Sequence, residues 1–186
     1  MSFKAIERIF EPDPRFHDLV IIENGRTRRM NIADHHKALA EISLSGTAPA
    51  GVMASYDRAR NTIIYAFFDY DLFVVGEVQA VGAFELALKH RLNGHGGATR
   101  GTLRNLVARA RKAGVLPPLA TSTNALPDPI EALISIRNEL SHGTSDIHSP
   151  GMALNVVKAC ASLIDHLYPP QPISTDAGAA SVPPLY

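Results

Sequence analysis

The sequence predicts a mainly α fold, an up-and-down bundle of about four to five helices with a small N-terminal hairpin and short helix appended. Three observations carry this. From Pro49 onward apolar residues recur at spacings of three and four, as they do on one face of a helix. Start and stop residues bracket the periodic runs: Asp128-Pro129 and Ser149-Pro150 at beginnings, Gly114 and Pro169-Pro170 after ends. The one strong hairpin signal, Asn24-Gly25 between β-prone runs, falls in the first 48 residues.

In chain order, Leu19 to Glu23 and Arg26 to Ile32 flank that Asn-Gly pair and predict two short strands. A short helix follows, with Asp34 as its cap and Leu39, Ile42 and His35 on one face of the run His35 to Leu44. Residues 1–48 read as an N-terminal appendage packed on the main body. The next helix spans Gly51 to Phe68, with Val52, Tyr56, Ala59, Ile63, Ala66 and Phe67 as its stripe. The run Asp71 to Leu92 is apolar nearly all round, so it belongs in the middle of a bundle, covered on several sides. The segment Phe68-Asp69-Tyr70-Asp71 either breaks these two helices or bends one long one. Asn93-Gly94 and Gly96-Gly97 end the run.

Thr102 to Ala113 predicts a helix with Leu103, Leu106, Val107 and Ala110 inward and Arg100, Arg104, Arg109, Arg111 and Lys112 mostly outward. After a Pro- and Thr-rich loop, Asp128 to Ser141 and Ser149 to Leu167 complete the bundle over residues 49–168. Residues 169–186 hold five prolines among small residues and read as a disordered tail.

Composition limits the function classes. The 186 residues suit one domain with appendages, and 46% hydrophobic against 19% charged residues describes a globular chain. Eighteen basic and eighteen acidic side chains cancel, so any attraction to nucleic acid must be local. The single cysteine, Cys160, sits among apolar neighbours and reads as a buried, inert thiol. Lys4, Glu7 and Arg8 interrupt any secretory signal, and polar residues from Glu77 to Arg91 rule the longest apolar run out as a membrane span, which makes the cytoplasm the expected compartment. His35-His36 and the pair His90 and His95 have no zinc-ligand spacing, and Gly94-His95-Gly96-Gly97 follows a helix rather than opening one. No metal, cofactor or membrane partner is expected.

One segment points to chemistry: Arg137-Asn138-Glu139-Leu140-Ser141-His142-Gly143, at a helix end. Asn138 and His142 share a helical face at i and i+4, whereas Arg137 and His142 point about 140° apart at about 100° per residue. Arg137 has a long stem and His142 sits at the last turn, so the three can converge on a fixed cation, an amide and an imidazole. Those groups suit metal-free cleavage of an RNA phosphodiester: a base for the 2′-hydroxyl, a cation for the phosphorane charge, an amide to orient. A structural role is also consistent, with His142 on orphan helix carbonyls and Arg137 and Asn138 tying helices together. The arginines at 100, 104 and 111 suit contact with an RNA backbone, with Arg26, Arg28 and Arg29 of the hairpin as additions. Glu85, in apolar surroundings, needs a partner, for which Lys89 at i+4 and Arg137 are both open.

The run Arg137 to His142 resembles the signature of HEPN domains, in which an arginine, a polar residue directly after it and a histidine four to six positions later close a helix of a bundle. Phe84 to Leu92 is similar to the central helix of such domains, and Thr102 to Leu116 to the helix and Gly-x-Leu connection before the signature; the resemblance covers about Val52 to Tyr168. It implies a homodimer with signature helices facing each other, and an RNase site composed of two Arg/His pairs, of the kind found in toxin–antitoxin, phage-defence and RNA-processing systems. Arg137, Asn138 and His142 would be catalytic. No effector domain is recognisable, so an antitoxin or regulatory partner would be a separate chain. Non-catalytic HEPN-like proteins that bind nucleotides, RNA or other proteins are the alternative the resemblance carries.

Overall fold

The structure, a computed structural model, describes residues 3–45, 47–93, 101–119, 128–142 and 147–170. Two short 3-10 turns, Ile6–Arg8 and Pro14–Phe16, precede a two-stranded hairpin of β1 (Val20–Glu23) and β2 (Arg26–Arg29). The rest is helical: α1 (Ile32–Ala40), α2 (Ala50–Tyr65), α3 (Leu72–Asn93), α4 (Leu103–Lys112), α5 (Pro129–Ser141) and α6 (Pro150–Leu167). The protein is therefore a mainly α helical bundle with a small N-terminal hairpin. The tail at 171–186 lies outside the described residues.

The strands pair antiparallel from Val20 with Arg29 to Glu23 with Arg26. Asn24 and Gly25 turn between them with φ of 50° and 74°, the positive angles that a two-residue hairpin loop of this hand requires. α1 starts earlier than the sequence reading had it. Asn31, not Asp34, is the cap: its side chain accepts the N–H groups of Ala33 and Asp34, and the Asp34 carboxylate accepts the N–H of Asn31 in return. The reciprocal box needs an acidic side chain three residues inside the helix, which is Asp34's position. Arg28 of β2 then grips Asp34 at 2.6 Å and joins hairpin to helix.

α3 is the centre of the bundle, packed against α2, α4, α5 and α6. Phe73, Val81, Phe84, Ala87 and Leu88 are all buried, which explains why its sequence shows no polar face. α2 and α3 approach so closely that a Cβ on Gly76 would stand 2.2 Å from Ile63 Cγ1. Between them the chain breaks at Ala66 to Asp71, which resolves the break-or-bend alternative. The N-terminal segment contributes to the same core. Phe16 packs on Phe67 and Phe73, and buried His35 donates Nε2–H to the Ile63 carbonyl at 2.7 Å. Cys160 is fully buried, and that burial pushes its thiol far up, so it is an inert core group.

Candidate functional site at the C-terminal turn of α5

α5 is fixed at its start. Asp128 caps it by accepting the N–H groups of Ile130 and Glu131, and Pro129 fills the first turn, where no N–H is needed. Ile130, Leu133, Ile134 and Leu140 bury one face in the core. Arg137, Asn138 and His142 lie on the remaining surface near the other end. Arg137 is half-buried, and Asn138 and His142 are exposed. His142 is the C-cap residue, with its N–H shared between the carbonyls of Asn138 and Glu139 at 3.1 and 3.3 Å. Gly143 lies outside the described residues.

The side chains of Arg137, Asn138 and His142 form no hydrogen bond or ion pair with one another or with any other described residue. The turn groups them without joining them.

The other candidates differ. Arg100 lies outside the described residues. Arg111 is largely buried between Asp128 at 2.8 Å and Glu131 at 2.8 Å, and Arg104 reaches the other Glu131 oxygen at 3.0 Å. Both arginines thus hold α4 to the N-terminal turn of α5, where Arg104 remains mostly exposed and Arg111 does not. On the hairpin Arg28 is divided between Glu23 and Asp34. Glu85 takes the nearer of its two candidate partners, Lys89, at 2.6 Å.

Sequence reasoning missed a pair behind α5. Glu77, in the second turn of α3, is completely buried, and its Oε1 lies 2.7 Å from Nδ1 of His148, just before α6. Its Oε2 has no partner among the described residues. Burial pushes the Glu77 carboxyl above its usual range, with His148 pulling it partly back. A glutamate inside an apolar helix was a visible signal; a partner 71 positions away was not.

Among the described residues no three His, Cys, Asp or Glu side chains gather as a metal site would need, and no helix is long and apolar enough to cross a membrane. Comparison of the chain with protein-family models, curated proteins and solved structures gives no match.

Proposed function

We propose that the chain is a metal-independent endoribonuclease that acts through Arg137, Asn138 and His142, in a composite site shared by two copies. One observation carries this reading. Among the described residues, three neighbouring polar side chains, a cation, an amide and an imidazole on one helical turn, stand without partners; Arg15, Arg28, Arg60, Arg104 and Arg111 are engaged in ion pairs, whereas Arg26, Arg29, Arg58, Arg91 and Arg109 are not. A cation, an amide and an imidazole that do not hold the bundle together are available to a ligand. The resemblance of Arg137 to His142 to the HEPN signature gives that ligand as RNA.

In such a site His142 takes the proton of a ribose 2′-hydroxyl, whose oxygen attacks the adjacent phosphorus. Arg137 balances the charge on the phosphorane, and Asn138 orients a phosphate oxygen. The P–O5′ bond breaks, and the leaving 5′-oxygen takes a proton from the second copy's imidazole. The products are a 2′,3′-cyclic phosphate and a 5′-hydroxyl. Arg104, exposed on α4, is the candidate contact to the RNA backbone.

A second reading has an observation of its own. No carboxylate or carbonyl among the described residues orients the His142 ring, as bases in hydrolytic sites usually require. The three groups would then hold an RNA or nucleotide phosphate in a non-catalytic scaffold. Incubating the full chain with single-stranded RNA in EDTA decides between the readings. Cleavage to cyclic-phosphate ends, lost in His142→Ala and blocked by a 2′-deoxy nucleotide at the cut site, is the expected result. RNA that is bound but left intact by a light-scattering dimer would replace the enzyme reading with the scaffold one.

A further inference from the structure

An apolar groove of about 370 Å³ runs between α5 and α6. Ala132, Leu133 and Ile136 form one wall, Met152 and Val156 the other, and His148 is the one ionisable side chain in the lining. The volume is at the small end of the range for small-molecule sites, and the make-up is typical of them: mostly apolar walls with one fixed polar group, His148, beside an exposed Asn155 at the rim.

The polar group is unusually well held. His148 Nδ1 is committed to Glu77 Oε1 at 2.7 Å, and Glu77 is 0% exposed in the central helix. The ring's other nitrogen, Nε2, has no partner among the described residues and is not among the buried unsatisfied atoms. Its hydrogen bond is open to whatever enters the groove.

The chemistry of the pair sets what Nε2 offers. Glu77 is wholly buried with one carboxylate oxygen unpartnered, while His148 is partly exposed, and a carboxylate so placed is cheapest when its charge is neutralised, by a proton or by an imidazolium partner. Of the three zero-charge proton arrangements, the one with the acid proton on Oε2 and Nδ1–H donating to Oε1 leaves a buried O–H without an acceptor among the described residues and is disfavoured, so two remain. A Glu77 carboxylic acid donates to Nδ1 and the neutral ring carries its hydrogen on Nε2, or a carboxylate accepts from an imidazolium that also carries one on Nε2. Either way the groove receives an N–H donor.

From the buried Glu77, the His148 ring it holds and the apolar walls beside them, we infer that the groove between α5 and α6 binds a small, neutral, largely apolar molecule with one hydrogen-bond acceptor, such as a ketone, ester or tertiary amide. A carboxylate ligand is disfavoured because no lysine or arginine lines the groove to balance it. A pure hydrocarbon leaves the donor unsatisfied. This site does not depend on the RNase reading, since none of Arg137, Asn138 and His142 lines it.

The test uses acetophenone as probe and ethylbenzene as its counterpart without the acceptor, each titrated into the isotope-labelled full chain and followed by NMR. Acetophenone should move α5 and α6 amides saturably and shift the His148 Nε2 resonance. It should bind about fivefold tighter than ethylbenzene, the ratio that one neutral hydrogen bond supplies. His148→Phe should remove that preference, and Ala132→Phe, at an exposed position on the groove wall, should reduce binding of both compounds. His142→Ala, outside the groove lining, should leave the affinity for both compounds as in the wild type. Should His148→Phe fail to fold, the Nε2 shift in the wild type decides. Non-saturable binding, equal affinity for the two compounds, or an unmoved Nε2 resonance would overturn the inference.

Discussion

The carboxylate of Asp13 accepts the backbone N–H of Tyr70 at 3.2 Å, which ties the N-terminal segment to the break between α2 and α3. The tie is reinforced from both directions. Asp13 N–H donates to the Phe67 carbonyl, Arg15 chelates Asp13 while lying 4.2 Å over the Tyr70 ring, and Lys4 Nζ reaches the Phe68 carbonyl at 2.6 Å. Backbone groups freed by ending one helix and starting another are thus satisfied by residues more than fifty positions upstream, which locates the break where the chain has these partners.

Asp13→Ala should therefore destabilise by about 2–3 kcal/mol, because it leaves the buried Tyr70 N–H unpaired and removes the partner of Arg15. The pH dependence has a definite sign. Burial alone would raise the Asp13 carboxyl, but hydrogen bonds from Arg15 and the Tyr70 backbone outweigh it and hold it below its ordinary value. A carboxyl lowered on folding adds stability above its unfolded pKa of about 3.9, and that stability is lost as pH falls through the folded value. Urea midpoints measured from pH 6 down to about pH 3 should fall more steeply for wild type than for Asp13→Asn.

Two glycines of α3 should respond in opposite directions to alanine. At Gly76 the new Cβ would stand 2.2 Å from Ile63 Cγ1 and 3.2 Å from the Ala59 carbonyl oxygen, so the buried Ile63 side chain must leave its rotamer or the helices must part, at about 1–3 kcal/mol. At Gly82 nothing lies within 4 Å, and the substitution should stabilise by about 0.5–1 kcal/mol through helix propensity. Thermal melts of the two variants would check the signs. Equal effects would mean that α2 and α3 do not approach as described.

Asp128 serves α5 twice, as its N-cap and as an acceptor for Arg111. Asp128→Asn keeps the cap and loses the charge, while Asp128→Ala loses both. Alanine should cost about 1 kcal/mol more than asparagine, the usual worth of a cap. Arg104→Ala, at a mostly exposed pair, should change stability by under about 0.5 kcal/mol. That variant can therefore report on RNA contact separately from folding, as Arg111→Ala cannot. Denaturant titrations of the four chains would establish the order.

What the sequence disclosed was set by how local each cause is. The Asn24-Gly25 turn and the Asp128-Pro129 start depend on neighbouring residues and were readable, as was Glu85 with Lys89 one helical turn away. The first residue of α1 is not legible in the sequence, because Asn31 and Asp34 both suit a helix start and only their reciprocal bonding tells cap from first turn. The break at Ala66 to Asp71, the Arg111 link to Asp128 and the Glu77–His148 pair were not readable. Each joins residues that only the folded bundle brings together, at separations of 17 to 71 positions for the side-chain pairs. The run Arg137 to His142 is visible in the sequence as neighbouring polar residues, but its lack of partners among the described residues is a property of the fold.

That lack of partners gives the sharpest expectation for the site itself. Asn138→Ala and His142→Ala remove exposed side chains with no bond to another described residue, so each should change stability by less than about 0.5 kcal/mol. Arg137 is half-buried, so its aliphatic stem contributes packing that alanine would lose; Arg137→Met keeps the stem and removes only the cation. It too should fold with near wild-type stability. If the three residues instead tied α5 to its neighbours, each substitution would cost about 1–3 kcal/mol through the group left unpaired. Urea denaturation distinguishes the two, and running it beside an RNA cleavage assay separates chemistry from folding. Stable variants that no longer cut RNA would assign the loss to Arg137 and His142 as reacting groups. Destabilised variants of a chain that cuts nothing would make the α5 turn a structural element and sink the enzyme reading.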